Sequence, residues 1–309
     1  MPPAHDTPAV PQGYRTALLP LPTKAPPADA KAQLGERLFF DKRLSRDNSL
    51  SCASCHDYAR GGADQLPVSI GIDGKTGPIN APTVFNAALN FVQFWDGRAA
   101  TLEEQAAGPV HNPLEMGSSW AEVVPKLQAD SSYRALFAQL YPGRGISGES
   151  IVDAIAAFER TLITPNSRFD RFLRGDEQAL NDLERTGYQR FLDYGCASCH
   201  QGVNIGGNLY QRFGVMRDYF AGRRPTQADL GRFNVTGREE DRHVFKVPSL
   251  RNVAATPPYF HDASARTLEE AISVMGRYQL GRELSTQDVA VLAAFLRTLS
   301  GEWRGRPVQ

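Results

Sequence analysis

The chain has 309 residues, and its 34 Lys and Arg are matched by 34 Asp and Glu, so no net field draws it toward nucleic acid or an anionic membrane. Hydrophobic residues at 41% and charged residues at 22% exclude wholesale disorder, and the length suffices for about two domains, each with its own core. The longest helix-like apolar stretches, Ile151–Ile163 and Val289–Leu299, fall short of the ~20 residues of a bilayer span, so no membrane span and no nucleic-acid partner are expected.

Residues 1–28 carry Pro2, Pro3, Pro8, Pro11, Pro20, Pro22, Pro26 and Pro27 without a basic or apolar block, which predicts a coiled tail. Asp29 then caps a helix carrying Leu34 and Leu38. Cys52-Ala53-Ser54-Cys55-His56 follows, and after a long loop come Pro82-Thr83-Val84-Phe85-Asn86-Ala87-Ala88 and Phe94-Trp95-Asp96-Gly97-Arg98 running into Thr101-Leu102-Glu103-Glu104. A helix over Ile151–Ile163 closes this half, with a boundary near Pro165-Asn166. The second half repeats the order. Asp176 caps a helix with Leu180, Leu183 and Phe191 that stops at Gly195, and Cys196-Ala197-Ser198-Cys199-His200 follows immediately. Pro248-Ser249-Leu250-Arg251-Asn252-Val253-Ala254 and Phe260-His261-Asp262 running into Thr267-Leu268-Glu269-Glu270 match their counterparts at an offset of 166. Thr267 with Glu270 and Ser285 with Asp288 have helix-capping spacing, and Gly301 is expected to close the last helix. No period-2 alternation is present.

The four cysteines fall in two identical C-x-x-C-H pentapeptides with none left over. Two thiols three positions apart suit the two vinyl groups on one porphyrin edge, and the adjacent imidazole then points at the iron. A four-cysteine zinc site pairs its motifs ~15–20 residues apart, whereas Cys52 and Cys196 are 144 apart; a redox dithiol does not explain a following His twice. The pattern therefore predicts two covalent c-type haems, with His56 and His200 as proximal ligands. The expected fold is all-α: two cytochrome-c-like haem domains from an internal duplication, residues 29–165 and 166–309, with long loops and short strands at most. Because thioether attachment follows export in bacteria, the chain reads as a mature periplasmic form with its leader removed.

Two such signals together with Asn80-Ala81-Pro82-Thr83, Gln93-Phe94-Trp95-Asp96-Gly97-Arg98, Asn112-Pro113-Leu114-Glu115-Met116, Asp229-Leu230-Gly231-Arg232-Phe233 and Pro258-Tyr259-Phe260-His261-Asp262 make residues 30–300 resemble the bacterial dihaem cytochrome c peroxidases and their MauG-type relatives. In that family the N-terminal haem reduces hydrogen peroxide to water, and the C-terminal haem takes electrons from a small c-type cytochrome or cupredoxin; relatives are often homodimers. The resemblance implies that Glu115 is the distal acid–base group, Gln105 the distal glutamine and Trp95 the ring between the haems. Met275 takes the position of the sixth ligand on the C-terminal haem, in preference to Met116 and Met216. It further implies a Ca²⁺ ion between the domains held by Asn80, Thr256 and Pro258, an oxygen set suited to that cation. One departure stands out. Many of these peroxidases carry Ser-Ile-Gly-His, whose histidine blocks the peroxidatic iron in the oxidised state; here Ser69-Ile70-Gly71 is followed by Ile72, which has no lone pair to give. The N-terminal haem is then open without prior reduction, or else another group such as His111 replaces the histidine. Two further functions stay open on the residues alone. A MauG-type enzyme would oxidise a partner protein, but that family carries tyrosine where Met275 stands. A plain electron-transfer cytochrome would close both irons and leave Glu115 and Gln105 without a role.

Overall fold

The computed structural model describes residues 17–309. Among them the first half contains α1 (Ala30–Phe39), α2 (Leu102–His111), α3 (Trp120–Gln128), α4 (Ser131–Leu140) and α5 (Gly148–Glu159). The second contains α6 (Arg168–Leu173), α7 (Asp182–Asp193), α8 (Phe233–Thr236), α9 (Leu268–Val274), which runs on into a π-turn at Met275–Gln279, and α10 (Thr286–Arg297). Two antiparallel pairs complete the set: β1 (Tyr210–Arg212) with β2 (Val244–Lys246), placing Tyr210 opposite Lys246, and β3 (Glu302–Trp303) with β4 (Arg306–Pro307). The class is all-α with short strands, as the sequence led one to expect. No helix of the described residues is long and apolar enough to cross a membrane.

Capping explains most of the helix starts. Asp29 accepts from the Ala32 amide at 2.8 Å, and Thr267 and Ser285 cap α9 and α10 through Glu270 and Asp288. Two expectations need correction. Asp176 opens only a single 3₁₀ turn, Glu177–Ala179, and the cap of α7 is Asn181, whose side chain accepts from the Glu184 amide while the Glu184 carboxylate returns to the Asn181 amide. That reciprocal box satisfies two otherwise orphaned donors, which Asp176 does not. Gly301 does not close α10, which ends at Arg297. It is glycine because a Cβ there would collide with the Thr164 carbonyl. The helix expected over Ile151–Ile163 runs from Gly148 to Glu159, started three residues earlier by a Ser147–Ser150 box.

The duplication shows in how the helices cross. α1 packs on α5, and α7 on α10, each through a glycine: a Cβ on Gly35 would strike the Ala154 carbonyl, and one on Gly187 the Val291 carbonyl. Removing the side chain lets the backbones meet, so Phe39 and Phe158 in one core and Phe191 and Phe295 in the other interdigitate edge to face or tilted. The cores are nearly separate, one built on Leu38, Phe39, Phe137 and Phe158, the other on Phe169, Tyr188, Leu292 and Phe295. Between them sits Thr164, fully buried. Its Oγ1 accepts from Asn86 Nδ2 at 2.8 Å and from Asn252 Nδ2 at 3.0 Å, the matching asparagines of the two repeats. Both asparagines have positive φ, 60° and 59°, a conformation asparagine tolerates.

The chain ends cross over. Leu18 enters the second core, and the Leu19 carbonyl accepts from Arg251 while the Leu21 amide donates to Asp170. Arg251 and Asp170 form an ion pair at 2.7 Å with both side chains fully buried. At the other end the β3–β4 hairpin carries Trp303 and Val308 back onto the first core. Residues 1–16 of the expected tail lie outside the described range.

Candidate functional site

Both pentapeptides form a single 3₁₀ turn, Cys52–Ser54 and Cys196–Ser198, which sets the paired thiols on one side; none of the four half-buried cysteines is in a disulfide. His56 follows with Nδ1 3.2 Å from the Gly62 carbonyl, and Gly62 itself has φ 76° as the loop turns back under the ring. That contact fixes the proton on Nδ1 and leaves Nε2 as a lone-pair donor. Burial lowers the His56 pKa, keeping the ring neutral. His200 is half-buried, and desolvation pushes its pKa to about 4; its buried Nδ1 has no hydrogen-bond partner among the described residues. Neutral, half-buried imidazoles beside paired thiols fit the iron and edge of a covalently attached haem in each half.

Above the first motif lies the segment that follows α2. Glu115 is half-buried, and its carboxylate accepts from Asn112 Nδ2 at 2.6 Å. Burial raises its pKa, opposed by that hydrogen bond and by Arg98, and its charge acts on the thiols of Cys52 and Cys55. Glu115 thus has its carboxyl within electrostatic reach of the first pair of thiols. The Ile72 loop is fastened to it. The Ile72 amide donates to the Glu115 carbonyl at 2.8 Å, the Ile72 side chain is 1% exposed against Gly117, and a Cβ on Gly71 would hit the Leu114 carbonyl. Arg46–Asp73 at 2.7 Å and the Ile70–Thr76 bridge hold the hairpin from the other side. Gln105 is half-buried on α2. His111, at the exposed end of the same helix, directs Nδ1 to the Ser118 carbonyl at 3.3 Å and stands edge-on to Trp120 at 5.1 Å. Its ring is committed to that corner.

In the second half Met275 opens the π-turn after α9, a helical irregularity of the kind often found at functional positions. It packs half-buried against Phe213, Phe220 and Phe245. Met216 is 61% exposed, and Met116 is buried in the first core, so Met275 is the methionine set in this half's interior.

Trp95 lies at the junction of the halves. Its Nε1 donates to the Asn80 carbonyl at 2.9 Å, and its ring stands edge-on to Phe245 and to His261 at 6.5 and 6.3 Å. Asn80 is buried; its amide donates to the His261 carbonyl and its Nδ2 to the Leu66 carbonyl, leaving Oδ1 as the side chain's acceptor. The chain at Ala255–Thr256 passes close against Gly61 of the first half, with Pro258 two residues on, and Asn80 reaches the second half separately through the His261 carbonyl. His261 stacks on Phe245 at 4.5 Å and places Nε2 2.8 Å from Asp229 Oδ1. Asp229, His261 and Asp262 cluster as metal ligands would. However, the Arg223 guanidinium already bridges Asp229 and Asp262 at 2.9 and 3.1 Å, taking the place a cation would fill.

Sequence reasoning missed Lys246. It is 7% exposed, its amide donates to the Trp95 carbonyl, and among the described residues no carboxylate lies within ion-pair distance. Burial alone lowers its pKa to about 8. A buried, uncompensated ammonium is costly, and an anionic group such as a haem carboxylate is what would offset it. Glu159 also went unnoticed. It is 4% exposed on α5, its Oε2 has no hydrogen bond, and its charge reaches Cys52. The only signal for it was positional, since Leu296 stands at the matching place of α10.

Comparison with known proteins gives one consistent answer. Residues 29–178 match the model of the family described as di-haem cytochrome c peroxidase, and residues 185–300 match that of cytochrome c. The cytochrome c peroxidase Ccp of Escherichia coli K12 is 50% identical over 96% of this chain, which spans 63% of that protein's length. The cytochrome c551 peroxidase of Nitrosomonas europaea is 48% identical, with 92% of this chain and 84% of that one covered. Among solved structures, a MauG-like protein associated with microbial copper homeostasis superposes with a TM-score of 0.82 at 33% identity, covering 92% of this chain and 93% of that one.

Proposed function

The chain belongs to the dihaem cytochrome c peroxidase family, and from that premise we infer that it reduces hydrogen peroxide to water with electrons delivered by a small redox protein. Each haem, once attached, supplies an iron that exchanges electrons one at a time, and the N-terminal one also binds peroxide. The residues of the chain do the rest. His56 holds its Nδ1 proton on the Gly62 carbonyl, so Nε2 stays a neutral donor of fixed direction. Glu115 takes the proton from one peroxide oxygen and returns it to the other through its carboxylate, which Asn112 orients. Gln105 adds an amide donor at the distal face. His200 and Met275 would hold the second haem, where a thioether ligand raises the potential. Trp95 would connect the two through its ring, and Lys246 would offer its buried ammonium to an anionic group of a haem at the same junction. Asn80 Oδ1 and the backbone oxygens of Thr256 and Pro258 take a Ca²⁺ ion at the seam. The donor is a c-type cytochrome or cupredoxin, and the compartment is the periplasm.

The observation that carries this reading is Glu115: a half-buried carboxyl with raised pKa, within electrostatic reach of the first pair of cysteines, serves proton transfer to a ligand at that site and nothing in a closed electron-transfer centre. Met275 supports peroxide reduction over oxidation of a partner protein. Ile72 adds that the site is open at rest, because its side chain cannot ligate and its loop is tied to the Glu115 backbone. The test is to mix fully oxidised protein with peroxide and follow the haem spectrum, then add reduced cytochrome c. An immediate spectral change and donor oxidation are expected. Two low-spin haems with no reaction until one electron is supplied would overturn the open-site reading.

A further inference from the structure

The Tyr58–Trp303 pair behind the first haem motif has no counterpart after the second, and the duplication makes that difference informative. Tyr58 stands two residues after His56; at the equivalent place after His200 the chain has Gly202. The Tyr58 ring stacks on Phe39 at 5.8 Å, and Phe39 in turn lies 6.4 Å from the His56 ring. On its other side Tyr58 meets Trp303 at 4.5 Å, the closest approach of its ring to any aromatic neighbour. Trp303 arrives from the far end of the sequence on the β3–β4 hairpin and is half-buried, so one edge of the indole reaches solvent. Tyrosine and tryptophan are the most readily oxidised aromatic side chains. We propose that Tyr58 and Trp303 form an exit for oxidising equivalents, which makes Trp303 a peroxide-dependent oxidation site when no electron donor is present.

Two details decide where the oxidation comes to rest. The Tyr58 hydroxyl is buried with no hydrogen-bond partner, so an oxidised Tyr58 has no base to take its proton and passes the demand on to Trp303. The Arg304 guanidinium lies 4.4 Å from the Trp303 ring centre. A cation there disfavours a second positive charge on the indole, although its pairing with Glu36 at 2.7 Å moderates that field. Trp303 therefore gives up its electron together with the Nε1 proton, which passes to water. Withdrawal of a second electron, addition of one water to the ring and loss of a second proton yield hydroxytryptophan. Trp303 and that water together give up two electrons and two protons; hydrogen peroxide accepts the two electrons and two protons and becomes two waters. The net change is one peroxide consumed, one water released and one oxygen fixed on the indole.

This inference rests on the N-terminal haem being the peroxide site, and the experiment separates the two claims. Oxidised holoprotein is treated with a small excess of hydrogen peroxide without donor, frozen for EPR, and in parallel digested for peptide mass mapping. One added oxygen at Trp303 and a tryptophanyl radical signal are expected, both largely lost in Tyr58→Phe, whose missing hydroxyl costs no hydrogen bond. Donor-supported turnover of Tyr58→Phe stays at the wild-type rate. Met216, which is exposed, reports direct attack by bulk peroxide and is modified equally in both proteins. Trp303 left unmodified in a protein that turns over peroxide with donor would overturn the exit while sparing the peroxidase reading. Equal modification of Trp303 in wild type and Tyr58→Phe would overturn it as well. Failure of donor-supported turnover in the wild type would instead remove the peroxidase reading itself.

Discussion

Glu159 offers a sharp test of the fold's electrostatics, because α10 shows what a buried residue at that place ordinarily is. The α5 helix puts a carboxyl, 4% exposed, where its counterpart has Leu296, and burial raises the Glu159 pKa from 4.5 to about 8 against a weaker opposing pull from Arg160. The folded state thus binds this proton more tightly than the unfolded chain. Its contribution to stability is complete below the unfolded value and is lost as pH rises from there toward 8. A shift of that size corresponds to about 5 kcal/mol in all, of which about 3–4 kcal/mol falls between pH 5 and pH 8. Glu159→Leu removes the titration and fills the site with hydrocarbon; Glu159→Gln removes the titration alone. Urea unfolding of the holoprotein at the two pH values measures both. Relative to wild type, Glu159→Leu is expected to gain several kcal/mol at pH 8 and much less at pH 5, while Glu159→Gln shows the same pH-dependent part with little gain at pH 5. Differences from wild type cancel the other groups that titrate in this range. A wild-type stability that falls between pH 5 and pH 8 no more steeply than that of Glu159→Leu would refute the reasoning, since the carboxyl would then be solvated in solution.

Replacing Glu115 with Gln should lower the peroxide turnover number by ~10²–10⁴-fold with both haems attached, as read by stopped-flow kinetics; an unchanged rate would take Glu115 out of proton transfer. Met275→Ala should remove the methionine signature from the near-infrared spectrum and lower the potential of the C-terminal haem; persistence of the signature would reassign the ligand. Lys246→Gln should lower a haem potential by the equivalent of on the order of 1–3 kcal/mol, because a cation favours the reduced form; potentiometry that finds both haems unmoved would separate Lys246 from the cofactors.

How much of this was legible in the sequence depends on the range of the interaction. The haem signals, the Asp29 and Thr267 caps and the repeat are local patterns, and each is borne out in the backbone. The cap of α7 was misread because Asp176 and Asn181 carry the same local signal, and only the return bond from Glu184, itself ion-paired with Arg168, separates them. Arg251 was read as one position in a repeat whose other copy has Phe85. Its complete burial depends on Asp170 and on the Leu19 carbonyl, 232 positions away in sequence, and no window of neighbouring residues contains that information. Lys246 and Trp303 were invisible for the same reason: one is defined by what surrounds β2, the other by where the final hairpin lands.

The shared hydroxyl of Thr164 bears on how such a molecule descends from a shorter ancestor. A monohaem unit standing alone has one asparagine of this kind and no seam for it to face. Once two copies were fused, Asn86 and Asn252 came to terminate on the same oxygen, and the Asn252 side-chain Oδ1 took up the Gly301 amide as well. The second half expressed by itself would leave the Asn252 side-chain N–H in buried surroundings without the Thr164 hydroxyl, whereas Asn86 keeps Thr164 within its own half. Fusion has in this sense become irreversible: the lineage can alter the chemistry of each haem separately, as it has at Ile72 and Met275, but the two genes' worth of chain are now inherited as one.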